Sequence, residues 1–95
     1  MKKISAQDFV KLDKDKITIV DMREEKERQN ACFEGSINIP ISKFWVGIDN
    51  IPKDKPVYVF CNSGYFSEEM VILLEEMGYD ATNVLGGWQK IQSYI

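Results

Sequence analysis

A cysteine in the second half of the chain lies where a nucleophile could act. Cys61 follows an apolar run, Val57–Phe60, and precedes a segment whose apolar residues recur at helical spacing. The run predicts a strand buried on both faces, and the segment predicts a helix with Ser67 as its N-cap and Gly78 beyond its C-terminus. A thiol facing a helix N-terminus meets free N–H groups, which lower its pKa below the value of about 8.5 for free cysteine. The sequence therefore predicts a nucleophilic thiolate.

The loop after Cys61 strengthens this prediction. Gly64 allows the loop to curl so that successive backbone N–H groups point inward, which forms a nest for an anion or a negatively charged sulfur. The simpler interpretation is that Cys61 only fills space after a core strand. The combination of strand, glycine loop and helix favours the reactive cysteine.

Composition limits the possible classes of protein. The chain has 95 residues, of which 44% are hydrophobic and 28% are charged, so we expect one globular domain over residues 1–95. The net charge of −3 is spread along the chain, which argues against a nucleic-acid partner. No apolar run reaches about 18 residues, and no apolar segment follows the first lysines, so we expect a cytoplasmic protein without a membrane partner.

The chain has no histidine, which excludes a Cys-His dyad, a Ser-His-Asp triad and most zinc sites. No metal or other cofactor is indicated. The second cysteine, Cys32, forms no CxxC pair with Cys61, and we expect it to be a small space-filling residue near a turn. A sharper hypothesis is that Cys32 resolves an oxidised Cys61, which requires the two Cα atoms to lie within about 7 Å.

Predicted strands alternate with predicted helices along the chain. The strands are Ile4, Ile17–Val20, Ile37–Pro40, Val57–Phe60 and Asp80–Val84. The helical segments follow a capping box at Ser5 and cover residues 24–30, 41–51, 67–77 and 88–95. We expect Trp88, Ile91 and Ile95 to pack inward, and Trp45 to be a core or helix-packing aromatic residue. This alternation predicts an α/β fold with a mainly parallel sheet and helices on both faces.

Four segments in sequence order resemble the rhodanese-like domain. They are IVDMRE at residues 19–24, ACFEGSINIP at 31–40, VYVFCNSGYFS at 57–67 and VLGGWQK at 84–90. The resemblance implies a five-stranded parallel sheet flanked by helices. It also implies a cysteine that accepts a sulfur atom as a persulfide and passes it to a nucleophile, with no cofactor.

The resemblance assigns roles by position. Cys61 becomes the persulfide-forming cysteine, and Asp21 and Arg23 match an Asp-x-Arg motif that we take as chiefly structural. The rest of the predicted persulfide-binding loop is Asn62, Ser63, Gly64, Tyr65 and Phe66, with Ser67 starting the helix behind it. The implied partners are a small sulfur donor or a persulfide-bearing protein, and a thiol, cyanide or protein acceptor.

The chain departs from the family pattern at several positions. Asn62 and Phe66 stand where many thiosulfate-using members have arginine, and Glu68 and Glu69 follow directly, so we expect weak activity with the doubly charged thiosulfate. Cys32 replaces the usual histidine. We expect an uncharged or protein-borne persulfide to be the better donor, with Tyr65 and Phe66 as the docking surface. Alternatively, one of these two rings folds back over the site.

Two other functions have to be weighed. A phosphatase or arsenate reductase needs an arginine six residues after the cysteine to hold the oxyanion, and this chain has Ser67 there. A catalytically weak or silent rhodanese-like interaction module would present Tyr65 and Phe66 to a partner, with Cys61 incidental. The missing arginines favour the interaction module, whereas the retained residues of the loop favour the sulfurtransferase: Cys61, Ser63, Gly64 and Ser67.

Overall fold

Five short strands form one sheet in the computed structural model, which describes all residues from 1 to 95. The strands are β1 (Lys2–Ser5), β2 (Thr18–Asp21), β3 (Ile37–Asn38), β4 (Val57–Phe60) and β5 (Ala81–Leu85). Their order across the sheet is β1-β5-β4-β2-β3, and every neighbouring pair is parallel. The predicted five-stranded parallel sheet is therefore confirmed, and β4, which leads to Cys61, lies at its centre.

Short helices connect the strands. They are α1 (Ala6–Phe9), α2 (Glu25–Asn30), α3 (Phe44–Gly47), α4 (Phe66–Glu76) and α5 (Gly87–Ile91), with single 3₁₀ turns at Lys14–Lys16, Ile41–Lys43, Ile48–Asn50 and Gln92–Tyr94. The longest has 11 residues, and none is both long and apolar enough to cross a membrane. The predicted helix over 41–51 is in fact three consecutive short turns.

Each face of the sheet carries its own hydrophobic core, because successive side chains of a strand point to opposite faces. Val57 and Val59 of β4 pack on one face in a cluster that includes Val71 and Leu74 of α4. The opposite cluster contains Ala6, Phe9, Ile19, Phe33, Phe60, Val84, Trp88 and Ile91. These two clusters confirm that helices cover both faces and that Trp88 and Ile91 point inward.

The structure corrects several expectations about individual residues. Helix α4 begins at Phe66 with Tyr65 as its N-cap residue, so Ser67 lies in the first turn and is not the N-cap. Trp45 is 68% exposed and Ile95 67% exposed, so neither is a core residue. Trp45 only packs edge-to-face on the buried Phe44, with ring centroids 5.2 Å apart. Ile95 lies beyond the end of α5, directly after the 3₁₀ turn at Gln92–Tyr94.

Candidate active site

Cys61 lies directly after β4 and receives backbone hydrogen bonds at its sulfur. The Gly64 N–H donates to Cys61 Sγ at 3.2 Å, and the Ser67 N–H donates at 3.4 Å. Burial raises the pKa of the Cys61 thiol, but hydrogen bonds from Ser67 and from the backbone of Gly64 and Ser63 lower it by more. The net result is a pKa below the ordinary value, so the predicted ionisation of this thiol has a visible cause in the loop.

The Ser67 hydroxyl has one proton and two acceptors nearby. Its oxygen lies 2.6 Å from Oδ1 of Asn83, and donation there leaves no proton for Cys61. In this arrangement, therefore, the donors that point at the Cys61 sulfur are the backbone N–H groups of Gly64 and Ser67. The anion nest predicted from the sequence is thus made of main chain.

The Cys61 loop rests on the start of helix α5. The N–H groups of Trp88 and Gln89 donate to the carbonyl oxygens of Cys61 and Asn62, at 2.8 and 3.1 Å. Gly87 has a φ of +55°, and a Cβ there would collide with the Cys61 carbonyl. Gly87, the first residue of α5, is therefore required for the loop to approach this helix, a role that the sequence analysis did not assign.

Gly64 also lies close to the glycine pair at the start of α5. Its φ is +85°, and a Cβ built on it would lie 2.9 Å from the Gly86 backbone nitrogen. Only glycine combines this left-handed conformation with this lack of space. The prediction that Gly64 curls the loop is therefore supported by its geometry.

Asn83 is a site residue that the sequence analysis missed. It lies in β5, is completely buried, and contacts the Cys61 loop through both ends of its amide. Asparagine is depleted in strands, so its presence in an apolar run is the signal that could have identified it.

Asp21 and Arg23 form a buried ion pair beside the loop. Arg23 Nη2 lies 2.9 Å from Asp21 Oδ2 and 2.7 Å from the carbonyl oxygen of Ala31, and the guanidinium stacks 4.4 Å from the centre of the Trp88 ring. Arg23 is 4% exposed and Asp21 is fully buried. The charge of Arg23 is thus already neutralised, and its contacts fit the structural role we predicted.

An open cavity of about 260 Å³ leads to Cys61. Its lining residues come from the segment after β2, helix α2, the 3₁₀ turn after β3, the loop after β4 and the start of α4: Met22, Arg23, Glu24, Glu27, Ile41, Cys61, Asn62, Ser63 and Phe66. Glu27 accepts hydrogen bonds from the Asn62 side chain and from the Glu24 N–H, so this carboxylate joins α2 to the loop. The cavity therefore carries two carboxylates, and its only cation is already paired with Asp21.

Two aromatic rings stand at the rim of this cavity. Tyr65 is 71% exposed and Phe66 61% exposed, and their rings pack edge-to-face with centroids 5.4 Å apart. Phe66 lines the cavity, and Tyr65 packs on Phe66 at its edge. Both rings project to solvent, so neither is folded back over the site.

Cys32 lies outside the cavity lining and is exposed, so the expectation that it fills space is wrong. Both cysteines are free thiols. Disulfide formation between Cys32 and Cys61 under oxidation stays a prediction.

No group of three or more histidine, cysteine, aspartate or glutamate side chains in the chain could hold a metal ion.

The position six residues after Cys61 holds no cation. Ser67 is fully buried there and hydrogen-bonded to Asn83, so the oxyanion clamp of a phosphatase or arsenate reductase is missing.

The fold and the site together define a class of protein, a parallel α/β domain that holds one cysteine in a main-chain anion nest at the carboxyl edge of the sheet. The sequence model of the family described as "Rhodanese-like domain" matches residues 5–94. This chain belongs to the rhodanese-like domain family.

Three similar proteins illustrate the range of this family. The thiosulfate sulfurtransferase PspE of Escherichia coli is 34% identical over 74 residues, which are 76% of this chain and 71% of that protein. The crystal structure of a rhodanese-related protein from Thermoplasma volcanium has a TM-score of 0.86 and 32% identity, covering 99% of this chain and 90% of that one. The tRNA uridine(34) hydroxylase of Bdellovibrio bacteriovorus is 31% identical over 73% of this chain, which spans only 21% of that protein's length.

Proposed function

We propose that this domain is a sulfurtransferase that carries a sulfane sulfur as a persulfide on Cys61. The observation that supports the proposal most directly is the convergence of the Gly64 and Ser67 N–H groups on Cys61 Sγ. These donors favour the attacking thiolate, and the nest to which they belong favours the negatively charged persulfide that follows.

The transfer needs two displacements at sulfur. In the first, the Cys61 thiolate attacks the outer sulfur of a donor persulfide, a new S–S bond forms, and the donor's S–S bond breaks to release its thiolate. In the second, an acceptor thiolate attacks the outer sulfur on Cys61, takes it as a new persulfide, and returns Cys61 as thiolate. Electrons balance in each step, so no redox cofactor is required.

The charges around the cavity support an uncharged or protein-borne persulfide as the donor. Glu24 and Glu27 line the cavity, and Glu68 and Glu69 follow in the first turn of α4. Thiosulfate, with two negative charges, meets no unpaired cation there, since Arg23 is bonded to Asp21. The similarity to PspE, a protein named for thiosulfate, favours thiosulfate as the donor instead. A comparison of loading by the different donors decides between these two hypotheses.

The mass of the intact protein tests this proposal. Reduced protein is incubated with thiosulfate, with a small neutral persulfide, or with a cysteine desulfurase and its substrate, and its mass is then recorded. We expect a gain of one reducible sulfur atom in native protein and in Cys32→Ser, and no gain in Cys61→Ser. The neutral and protein donors should load the protein faster than thiosulfate does.

A catalytically silent interaction module is the second candidate, because the exposed Tyr65 and Phe66 rings stand at the rim with no arginine in the loop. Under this function, folded protein with a free Cys61 gains no sulfur from any of the three donors, and Cys61→Ser binds its partner as native protein does. Sulfur gain that depends on Cys61 would contradict it.

A further inference from the structure

Asn83 connects both residues whose N–H groups reach the Cys61 sulfur. Its Oδ1 accepts the hydroxyl hydrogen bond of Ser67 at 2.6 Å, and its Nδ2 donates to the carbonyl oxygen of Gly64 at 3.0 Å. Asn83, Ser67 and Gly64 are all buried, and apart from the Cys61 sulfur itself no other side chain hydrogen-bonds to Gly64 or Ser67. One amide on a neighbouring strand thus binds the loop at residues 64 and 67.

The orientation of these two peptides decides the acidity of Cys61. Gly64 is conformationally the most permissive residue of the loop, so its N–H keeps its direction only if its surroundings hold it. Asn83 itself is held by the strand, because β5 pairs with both β4 and β1. A rigid strand therefore anchors the flexible loop at the residues that donate to sulfur.

We propose that Asn83 is a positioning residue, which sets the acidity and reactivity of Cys61 by holding the Gly64 and Ser67 N–H groups on its sulfur. Asn83 does not contact the sulfur in this arrangement. The inference rests on the proposed role of Cys61 as the nucleophile, but the acidity of the thiol can be measured without any sulfur donor.

The test is the pH profile of Cys61 alkylation by iodoacetamide in Cys32→Ser protein. Asn83→Thr is the main variant, because threonine has a similar volume and suits a strand, but cannot donate from an amide to the Gly64 carbonyl. We expect the midpoint of the profile to rise by about one pH unit, within the range that hydrogen bonds shift a pKa. Below the midpoint a higher pKa lowers the fraction of thiolate. A more basic thiolate is also more nucleophilic, which offsets part of that loss, so the alkylation rate should fall by only about threefold.

Thr82→Val is the matched control. Thr82 is the preceding residue of β5, is also buried, and points to the other side of the strand. This variant should keep the native midpoint, so a shift in Asn83→Thr alone is not general loosening of the sheet.

Asn83→Ala is the second variant, in case the threonine variant does not fold, because it adds no atoms to the core. A folded Asn83 variant with the native midpoint would overturn the proposal. This outcome is distinct from failure of the proposed function, in which native protein has an acidic Cys61 but gains no sulfur from any donor.

Discussion

The backbone N–H of Gly64 lies 3.2 Å from the sulfur of Cys61, three residues earlier in the chain. The positive field at this thiol therefore comes from the main chain of a tight loop, with no charged side chain required. A site of this kind depends on the conformation of the loop.

The reactivity of Cys61 should depend on pH with a midpoint below that of the same thiol in unfolded protein. The hydrogen bonds from Ser67, Gly64 and Ser63 outweigh burial and lower its pKa in the folded state. The thiolate therefore adds stability that is fully present above the unfolded pKa of about 8.5 and is lost as pH falls through the folded pKa. Alkylation profiles of Cys32→Ser protein, folded and in denaturant, measure the two midpoints. Equal midpoints would contradict the prediction.

The difference in free energy of unfolding between Cys32→Ser protein and the Cys32→Ser/Cys61→Ser double variant should also depend on pH. As pH rises from the folded pKa toward the unfolded one, the protein that retains Cys61 should gain free energy of unfolding relative to the double variant. Urea unfolding at a series of pH values measures this difference. A difference that stays constant or falls with pH would count against a lowered pKa.

Gly64→Ala should damage the protein more than an alanine at another left-handed glycine. Gly35 has nearly the same φ, +86°, but a Cβ there meets no atom within 4 Å, whereas one at Gly64 lies 2.9 Å from Gly86 N. Gly35→Ala should cost about 1–2 kcal/mol of unfolding free energy from strain alone. Gly64→Ala should cost more than Gly35→Ala and should also slow alkylation of Cys61. Equal losses in the two variants would contradict the close contact.

Removing the charge of Arg23 should destabilise the fold strongly. Arg23→Ala leaves the fully buried Asp21 carboxylate without its main partner, and we expect a loss of about 3–5 kcal/mol. Lys43→Ala is the control, because Lys43 and Glu25 form an exposed pair 3.7 Å apart that contributes less than about 1 kcal/mol. Urea unfolding measures both changes. Folded Arg23→Ala protein that still gains sulfur on Cys61 would agree with a structural role, and a folded variant that gains none would not.

A cation at the rim should improve the use of thiosulfate. Phe66 lines the cavity near Glu24 and Glu27, so Phe66→Arg places a positive charge where an approaching dianion passes. We expect kcat/KM for thiosulfate to rise about fivefold, which corresponds to roughly 1 kcal/mol of screened attraction. Phe66→Leu removes the ring without adding charge and should leave this value unchanged. The gain should shrink as ionic strength rises, and a gain that is equal in both variants would exclude the electrostatic cause.

The aromatic rim should matter for a protein donor and not for a small one. Tyr65→Ala removes an exposed ring that faces solvent beside the cavity. We expect the KM for a protein-borne persulfide to rise about tenfold, in the range of an interface aromatic residue. The KM for a small neutral persulfide should stay the same. Trp45→Ala, at an exposed aromatic residue outside the cavity lining, is the control. Equal effects on both donors would argue against docking.

The local pattern around Cys61 was enough to predict the central part of the site. An apolar β-rich run, a glycine loop and a helical repeat are short-range signals, and β4, the curl at Gly64 and the end of α4 before Gly78 all follow them. The order of the family segments likewise predicted the parallel sheet. The strand, the curl and the helix end depend on residues that are close in sequence, so the sequence contains them directly.

The misassigned residues were placed by residue type, and the tertiary structure gives each of them a different environment. Ser67 looked like an N-cap because serine is a common capping residue, but its hydroxyl donates to Asn83, 16 positions later. Trp45 was expected in the core or against a helix because it is large and apolar, yet Phe44 is the buried residue here and Trp45 only packs on its ring. Cys32 was taken for a space-filler, but its turn leaves it exposed.

The sequence by itself determined the class of fold and the glycine loop that follows Cys61, since hydrophobic period and turn residues act over a few neighbouring positions. Only the tertiary structure decided what holds that loop in place. Asn83 of β5 and the N-terminus of α5 reach the loop from other parts of the chain, and hydrogen bonds of this kind exist only once the sheet brings their partners together.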